Sequence, residues 1–314
     1  MGNIAVLSHN ADMDGVGAAA MLKIKYNIPS SRLFFSSYNK EDILYAQRKL
    51  KKFYGGNFIL FITDLSLNDP TIPVWKKLIR GVKAMGGSVF WFDHHPWSNR
   101  AIGEIASLCD VAIVGENKFC ATEITKKEIE LNTPFAEEFA KVVHYSDFNL
   151  RPDTAKRRKY VKTYALSITS YTKSKSNDSI QKSLRHIADV VASRRFVDAR
   201  MLAASRSFEK KNTARINKML KKLYLIGSKI TIGFAIGVQT TQACGAVIEK
   251  SGRDIGIVID MKQKKGSIRS KRSDISGLAK RLGGGGHPHA AGFEFNTANK
   301  ELIIDKIRKE ASKL

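Results

Sequence analysis

Asn3-Ile4-Ala5-Val6-Leu7-Ser8-His9-Asn10-Ala11-Asp12-Met13-Asp14-Gly15 is the stretch that decides the fold of this 314-residue chain. Ile4–Ser8 is a short apolar run with the look of a buried strand, and it delivers His9, Asp12 and Asp14 onto one short polar loop. Val16–Tyr26, with three consecutive alanines, then has helical character. The alternation continues with strands at Arg32–Tyr38, Phe58–Thr63, Ser88–Phe92 and Val111–Val114. Helices fall at Glu41–Tyr54, Val74–Met85, Ala121–Glu130 and Phe135–Tyr145. Strands that alternate with helices predict parallel crossovers, hence an α/β fold with a doubly wound sheet. Such sheets place their ligands at the carboxyl ends of the strands. His9 to Asp14, Asp64 and Asp93-His94-His95 each follow a strand, and Asp147 closes a helix able to return to the same edge.

Residues 151–222 lack strand-like alternation and read as basic helices, interrupted by the polar stretch Lys173–Asp178. From Ile230 the pattern changes to strands at Ile230–Val238, Cys244–Ile248 and Ile255–Asp260. A short helix at Ser276–Leu282, a glycine run, a strand through Phe293–Phe295 and a helical last dozen residues follow. Three parts are therefore expected. They are a catalytic domain at 1–155, a basic helical connector at 156–222, and a smaller α/β domain with a mixed sheet at 223–314.

The net charge is +24, and residues 151–230 hold 21 Lys/Arg against 5 Asp/Glu. Charge so concentrated predicts a polyanionic partner, although basic solvated helices also arise without one. Cys109, Cys120 and Cys244 form no metal-ligand pair and fit a reducing, cytoplasmic setting. No apolar run reaches the roughly 20 residues of a membrane span, and the first residues lack a secretion signal. Met1-Gly2 suggests myristoylation, but Val6 stands where Ser or Thr is required.

Each acidic or histidine cluster alone has an ordinary explanation as turn or cap chemistry. Together, at successive strand ends, they supply the oxygen and imidazole ligands of two divalent ions. Such ions clamp phosphoryl oxygens and acidify an attacking water. Carboxylates suit Mg²⁺ and Mn²⁺, and the imidazoles shift the preference to Mn²⁺, with Mg²⁺ or Co²⁺ as substitutes. Near the other end, Gly283-Gly284-Gly285-Gly286-His287 and Arg269 offer backbone N–H groups, an imidazole and a guanidinium to an anion.

These motifs resemble those of the DHH phosphoesterases, a family that includes RecJ-type exonucleases, nanoRNases, cyclic-di-AMP phosphodiesterases and manganese inorganic pyrophosphatases. The resemblance implies His9, Asp12 and Asp64 on one ion, and Asp14, Asp64, His94 and Asp147 on the other. It also implies His95 facing the substrate phosphate, with Asp93 supporting the site from behind. The region from Ser267-Ile268-Arg269-Ser270 to Gly292 resembles the nuclease-type DHH-associated domain. That likeness implies that Arg269, Gly284, Gly285, Gly286 and His287 hold the substrate.

The expected function is a metal-dependent phosphodiesterase or exonuclease that degrades short RNA, and single-stranded DNA, to mononucleotides. The same metals would serve a cyclic-dinucleotide, pApA or 3′-phosphoadenosine 5′-phosphate hydrolase. A different class of protein, a nucleic-acid-binding scaffold subunit of a replication or repair complex, is disfavoured by the intact ligand set. A homodimer, or a repair or replication partner, is compatible with the sequence, and a membrane is not.

Overall fold

The computed structural model describes residues 3–67, 69–173 and 176–312, so Met1-Gly2 and two residues of the polar stretch, Ser174 and Lys175, lie outside the described residues. The chain forms two compact units, Met1–Ser205 and Arg206–Leu314. The first contains β1 (Asn3–His9), α1 (Met13–Tyr26), β2 (Leu33–Ser36), α2 (Lys40–Leu50), β3 (Phe58–Thr63), α3 (Ile72–Ala84), β4 (Ser88–Phe92), α4 (Asn99–Ile105), β5 (Val111–Ile113), α5 (Ala121–Glu128), α6 (Pro134–Asp147), α7 (Ala155–Thr172) and α8 (Asn177–Ala192). Helix α9 (Ala199–Met219) runs across the boundary.

Among the described residues the first unit has one five-stranded sheet in the order β2-β1-β3-β4-β5, parallel throughout. Period-two alternation along β1 splits its side chains between two cores. Ile4 and Val6 pack with α1, α5, α6, α7 and α8, while Ala5 and Leu7 pack with α2, α3 and α4. Such an apolar strand, covered on both faces, is what a parallel sheet requires. The chain leaves β1 towards β2 on one side and β3 on the other. The strand order therefore reverses between β1 and β3, which opens a crevice at their carboxyl ends.

Helices α7 and α8, expected in a connector, belong to the first unit. Tyr164, Ile168, Leu184 and Ile187 are buried in the core that contains α1. Helix α8 also guards the edge of the sheet. Gln181 accepts from the Phe35 backbone N–H at 2.9 Å and donates to the Phe35 carbonyl at 2.5 Å, while Arg185 Nε donates to the Leu33 carbonyl at 2.7 Å. Backbone groups of β2 that would otherwise invite another strand are thereby satisfied.

The second unit continues from α9 with β6 (Leu223–Ile226), β7 (Ile230–Phe234), α10 (Thr240–Ser251), β8 (Ile255–Asp260), β9 (Lys265–Ser270), α11 (Ser276–Arg281), β10 (Gly285–His287), β11 (Ala290–Glu294) and α12 (Lys300–Ala311). Its six strands form a mixed sheet in the order β10-β11-β9-β8-β7-β6, with β7 and β8 parallel. The strand expected at Cys244–Ile248 is instead part of α10. Cys244, Val247 and Ile248 are buried at the i, i+3, i+4 spacing of one helix face. The β-branched Val247 and Ile248 suit a strand, and tertiary packing overrode that preference.

Replacing Gln181 with Met keeps the side-chain volume and strands two buried backbone groups of Phe35. Unfolding of the first unit in urea, followed by fluorescence of Trp75, Trp91 and Trp97, should show a loss of about 2 kcal/mol or more.

Candidate metal centre

Three loops and one helix end bring the acidic and histidine motifs to the crevice between β1 and β3. His9 is the last residue of β1, and Asp12 caps α1 by accepting from the Gly15 N–H at 3.1 Å. The helix begins at Met13, earlier than expected, so Asp14 sits in its first turn rather than on a loop. Gly15 admits the close approach that this needs. A Cβ there would lie 2.4 Å from the His9 carbonyl oxygen and 2.7 Å from the His9 Cβ. Ser8 ties the two segments, donating to the Gly15 carbonyl at 2.6 Å and accepting from the Thr63 hydroxyl at 2.7 Å.

Asp64 follows β3 in the left-handed region, at φ 54°. Its backbone N–H still pairs with the Phe92 carbonyl at 3.0 Å, and the turn then sends its side chain into the crevice. Backbone conformations of this kind are sparsely populated outside glycine and cluster at functional sites. Asp93, His94 and His95 follow β4. Asp147 ends α6.

Among the described residues of the first unit, three sets of ligand atoms result, each within 4.8 Å. They are His9, Asp12 and Asp64; Asp14, His94 and Asp147; and Asp64, Asp93, His94 and His95. His9 Nδ1 lies 2.9 Å from Asp12 Oδ2 and 3.4 Å from Asp64 Oδ2. His94 Nε2 lies 3.6 Å from Asp64 Oδ1, 3.6 Å from Asp147 Oδ2 and 3.8 Å from Asp14 Oδ2. The distances around His94 are long for hydrogen bonds. They fall within the span of about 3.0–4.2 Å for neighbouring to opposite ligands placed about 2.1 Å from one ion. Oxygens of Asp64 and Asp147 (Oδ2 in each) are buried without a hydrogen bond, as coordinating atoms awaiting a cation would be. The donor set therefore fits divalent metal ions.

Electrostatics agree. Burial lowers the pKa of His9, but the neighbouring carboxylates of Asp12 and Asp64 outweigh it and raise the value to about 10. Burial likewise works against charge on His94, yet Asp64, Asp14 and Asp147 lift it to about 10. Burial and neighbouring carboxylates push Asp14 and Asp147 upward. Too many carboxylates share too little positive charge, a strain that a cation relieves.

Sequence reasoning missed the residues that hold this ligand set. Both Asp14 carboxylate oxygens accept backbone N–H groups at 2.7 Å, from Ala121 and Thr122 at the start of α5. Glu123 accepts from the Cys120 N–H at 2.9 Å and pairs with His144 Nδ1 at 2.8 Å, one turn before Asp147. Asp93 is buried, 2.8 Å from His95 Nδ1, and accepts from Trp97 Nε1 at 2.8 Å. Tyr38, just past β2, stacks on His9 with ring centroids 4.4 Å apart. Its position at another strand end was the available signal.

In the second unit, Arg269 lies on β9 in register with Gly256 and Ala290, and its guanidinium reaches the Thr241 hydroxyl at 3.3 Å. Gly285–His287 is a strand paired with β11 rather than an open loop. Gly284 and Gly286 have a packing role, because a Cβ would lie 2.0 Å from the Gly292 carbonyl oxygen or 2.6 Å from that of Ala290. His289 Nδ1 lies 3.1 Å from the Ser270 hydroxyl.

Residues 234–313 match the family model of the DHHA1 domain. Several solved structures share the fold of nearly the whole chain. An exopolyphosphatase-related protein from Bacteroides fragilis aligns with a TM-score of 0.58 at 13% identity, over 99% of this chain and 91% of its own. RecJ in complex with Mn²⁺ from Thermus thermophilus aligns at 0.57 and 14%, over 99% of this chain but 52% of its own. The chain thus shares the fold of these structures, and its residues 234–313 are similar to the DHHA1 domain. The pGpG-specific phosphodiesterase PggH from Vibrio cholerae aligns at 0.55 and 15%, over 98% and 99%. Comparison with curated proteins gives no significant sequence match. Among the described residues no helix is long and apolar enough to cross a membrane.

With His9 and His94 raised to about 10, the metal-free site carries protons at neutral pH that an ion must displace. Affinity for Mn²⁺ should rise steadily between pH 6 and 9. Calorimetry in buffers of different ionisation enthalpy should register proton release on binding.

Proposed function

We propose that the chain is a phosphodiesterase that uses two Mn²⁺ ions to hydrolyse short oligonucleotides, RNA foremost and single-stranded DNA as well, to mononucleotides. The observation that carries this reading is the convergence of two ligand sets on the shared Asp64. His9, Asp12 and Asp64 would hold one ion, and Asp14, Asp64, His94 and Asp147 the other. Bound there, divalent ions would polarise the phosphoryl oxygens and lower the pKa of the attacking water. Two imidazoles among the ligands favour Mn²⁺ over Mg²⁺, with Co²⁺ as another substitute.

The remaining roles fall to the chain's own groups. Asp93 orients His95 through Nδ1, which leaves Nε2 to meet a phosphoryl oxygen. Arg269 and His287, with the backbone of Gly284 to Gly286, would grip the substrate's phosphate or base. Exposed lysines and arginines of α7 and α9, among them Lys156, Lys159, Lys210 and Lys211, would follow an oligonucleotide backbone.

A second reading, hydrolysis of linear or cyclic dinucleotides, is favoured by one observation. The chain and the pGpG-specific PggH match end to end, whereas RecJ is about twice as long as the matched part. The two readings separate by salt and length. An oligonucleotide enzyme should lose kcat/KM on a ten-residue RNA steeply between about 50 and 200 mM salt, and far less on a dinucleotide. A dinucleotide enzyme should barely turn over the longer substrate at any salt.

Asp64→Asn and Asp147→Asn should each lower Mn²⁺-dependent hydrolysis of end-labelled RNA by about a thousandfold or more, with the circular-dichroism spectrum unchanged. Wild-type turnover in either variant would refute the metal assignment. Arg269→Ala should raise KM about tenfold and leave Mn²⁺ affinity alone.

A further inference from the structure

Tyr38 stands at the mouth of the site with no role assigned to it. It lies two residues past β2, on the carboxyl edge that also carries His9, Asp64 and His95. Its ring stacks on the imidazole of His9 at an interplanar angle of 29° and meets His95 edge-on, with centroids 6.1 Å apart. The phenol is thus wedged between an imidazole of the first ligand set and the imidazole that faces the substrate phosphate.

Its hydroxyl lies 3.4 Å from His9 Nδ1. That nitrogen is also 2.9 Å from Asp12 Oδ2 and 3.4 Å from Asp64 Oδ2. One nitrogen lone pair cannot serve a cation and accept from a hydroxyl at once. A cation held at Nδ1 would displace the proton there and occupy the lone pair, so the Tyr38 hydroxyl would keep no partner on that nitrogen and its own proton would be available to another acceptor beside the ion. The acceptor that hydrolysis brings there is an oxygen of the phosphoryl group. A phenol suits the task, since it donates without adding charge to a pocket already crowded with carboxylates.

We propose that Tyr38 is a further catalytic residue, whose hydroxyl donates a hydrogen bond to a non-bridging oxygen of the scissile phosphoryl group. The inference rests on the phosphodiesterase reading above. Donors aimed where charge develops in the transition state act on turnover more than on binding.

Tyr38→Phe keeps the ring and its stacking on His9 and removes only the hydroxyl. With a linear dinucleotide as substrate, kcat should fall about 10- to 100-fold, while KM and the Mn²⁺ affinity measured by calorimetry stay within about twofold. Sulfur is a poorer acceptor than oxygen. In the two phosphorothioate diastereomers of that substrate, the slowing of one should therefore shrink in the variant relative to wild type. Unchanged kcat overturns the proposal. So does a loss of Mn²⁺ affinity parallel to the loss of kcat, because Tyr38 would then act only by packing His9. If the wild-type protein hydrolyses no phosphodiester with Mn²⁺, the functional reading falls and the role of Tyr38 falls with it. An active wild type with an unaffected variant removes Tyr38 alone.

Discussion

Mutual repulsion among buried carboxylates is the constraint around which the first unit is built. Asp14, Asp64 and Asp93 are almost wholly buried, and Asp12 and Asp147 stand beside them. Desolvating each anion costs several kcal/mol. The fold offsets this unevenly. Two backbone N–H groups at the start of α5 accommodate Asp14, and Trp97 and His95 accommodate Asp93. Asp64 and Asp147 each retain a buried oxygen without a hydrogen bond. The uncompensated charge is therefore localised on Asp64 Oδ2, beside His9, and on Asp147 Oδ2, beside His94, and these are the places where a cation gains most.

Topology explains why this concentration is possible. Strand order reverses between β1 and β3, so no crossover covers their carboxyl ends. Glycine at position 15 lets α1 start against His9, and the left-handed turn at Asp64 aims a second carboxylate across the gap. Helices α5 and α6 then close the far side. The His144–Glu123 pair links them, so that the helix holding Asp14 and the helix ending in Asp147 are fixed to each other. Function at this site depends on helix starts and ends as much as on the strand ends.

The parallel sheet was legible because β1, β3 and β4 are short apolar runs followed at once by His or Asp, a pattern with few other meanings. The acidic clusters were legible for the same reason. What the sequence concealed was three-dimensional accommodation. Nothing local announces that Ala121 and Thr122 will offer their N–H groups to a residue more than 100 positions away. Nor does anything announce that Gln181 will act as a backbone mimic for Phe35. The strand β9, Lys265–Ser270, has Ile268 as its one apolar side chain and so lacks an apolar signature, and α4 is a single short amphipathic segment. Composition also suggested one basic connector at 156–222, whereas packing assigns α7 and α8 to the first unit and divides α9.

Not all of the positive charge in that basic stretch is available to a polyanion. Arg157 is tied to Glu138 and Asp153, and Arg185 is turned inward onto the β2 backbone. These groups hold helices in place. The exposed remainder lies mainly on the outer faces of α7 and α9, where lysines such as Lys159 and Lys210 recur at helical spacing. A long, solvated lysine forms weak contacts that salt screens readily. Grip supplied by such residues favours loose, sequence-indifferent capture, whereas the buried ligand set and the Arg269 region demand one geometry. Selectivity for the length and chemistry of a substrate must then come from the buried groups, and the basic helices contribute chiefly to how often a phosphate chain arrives.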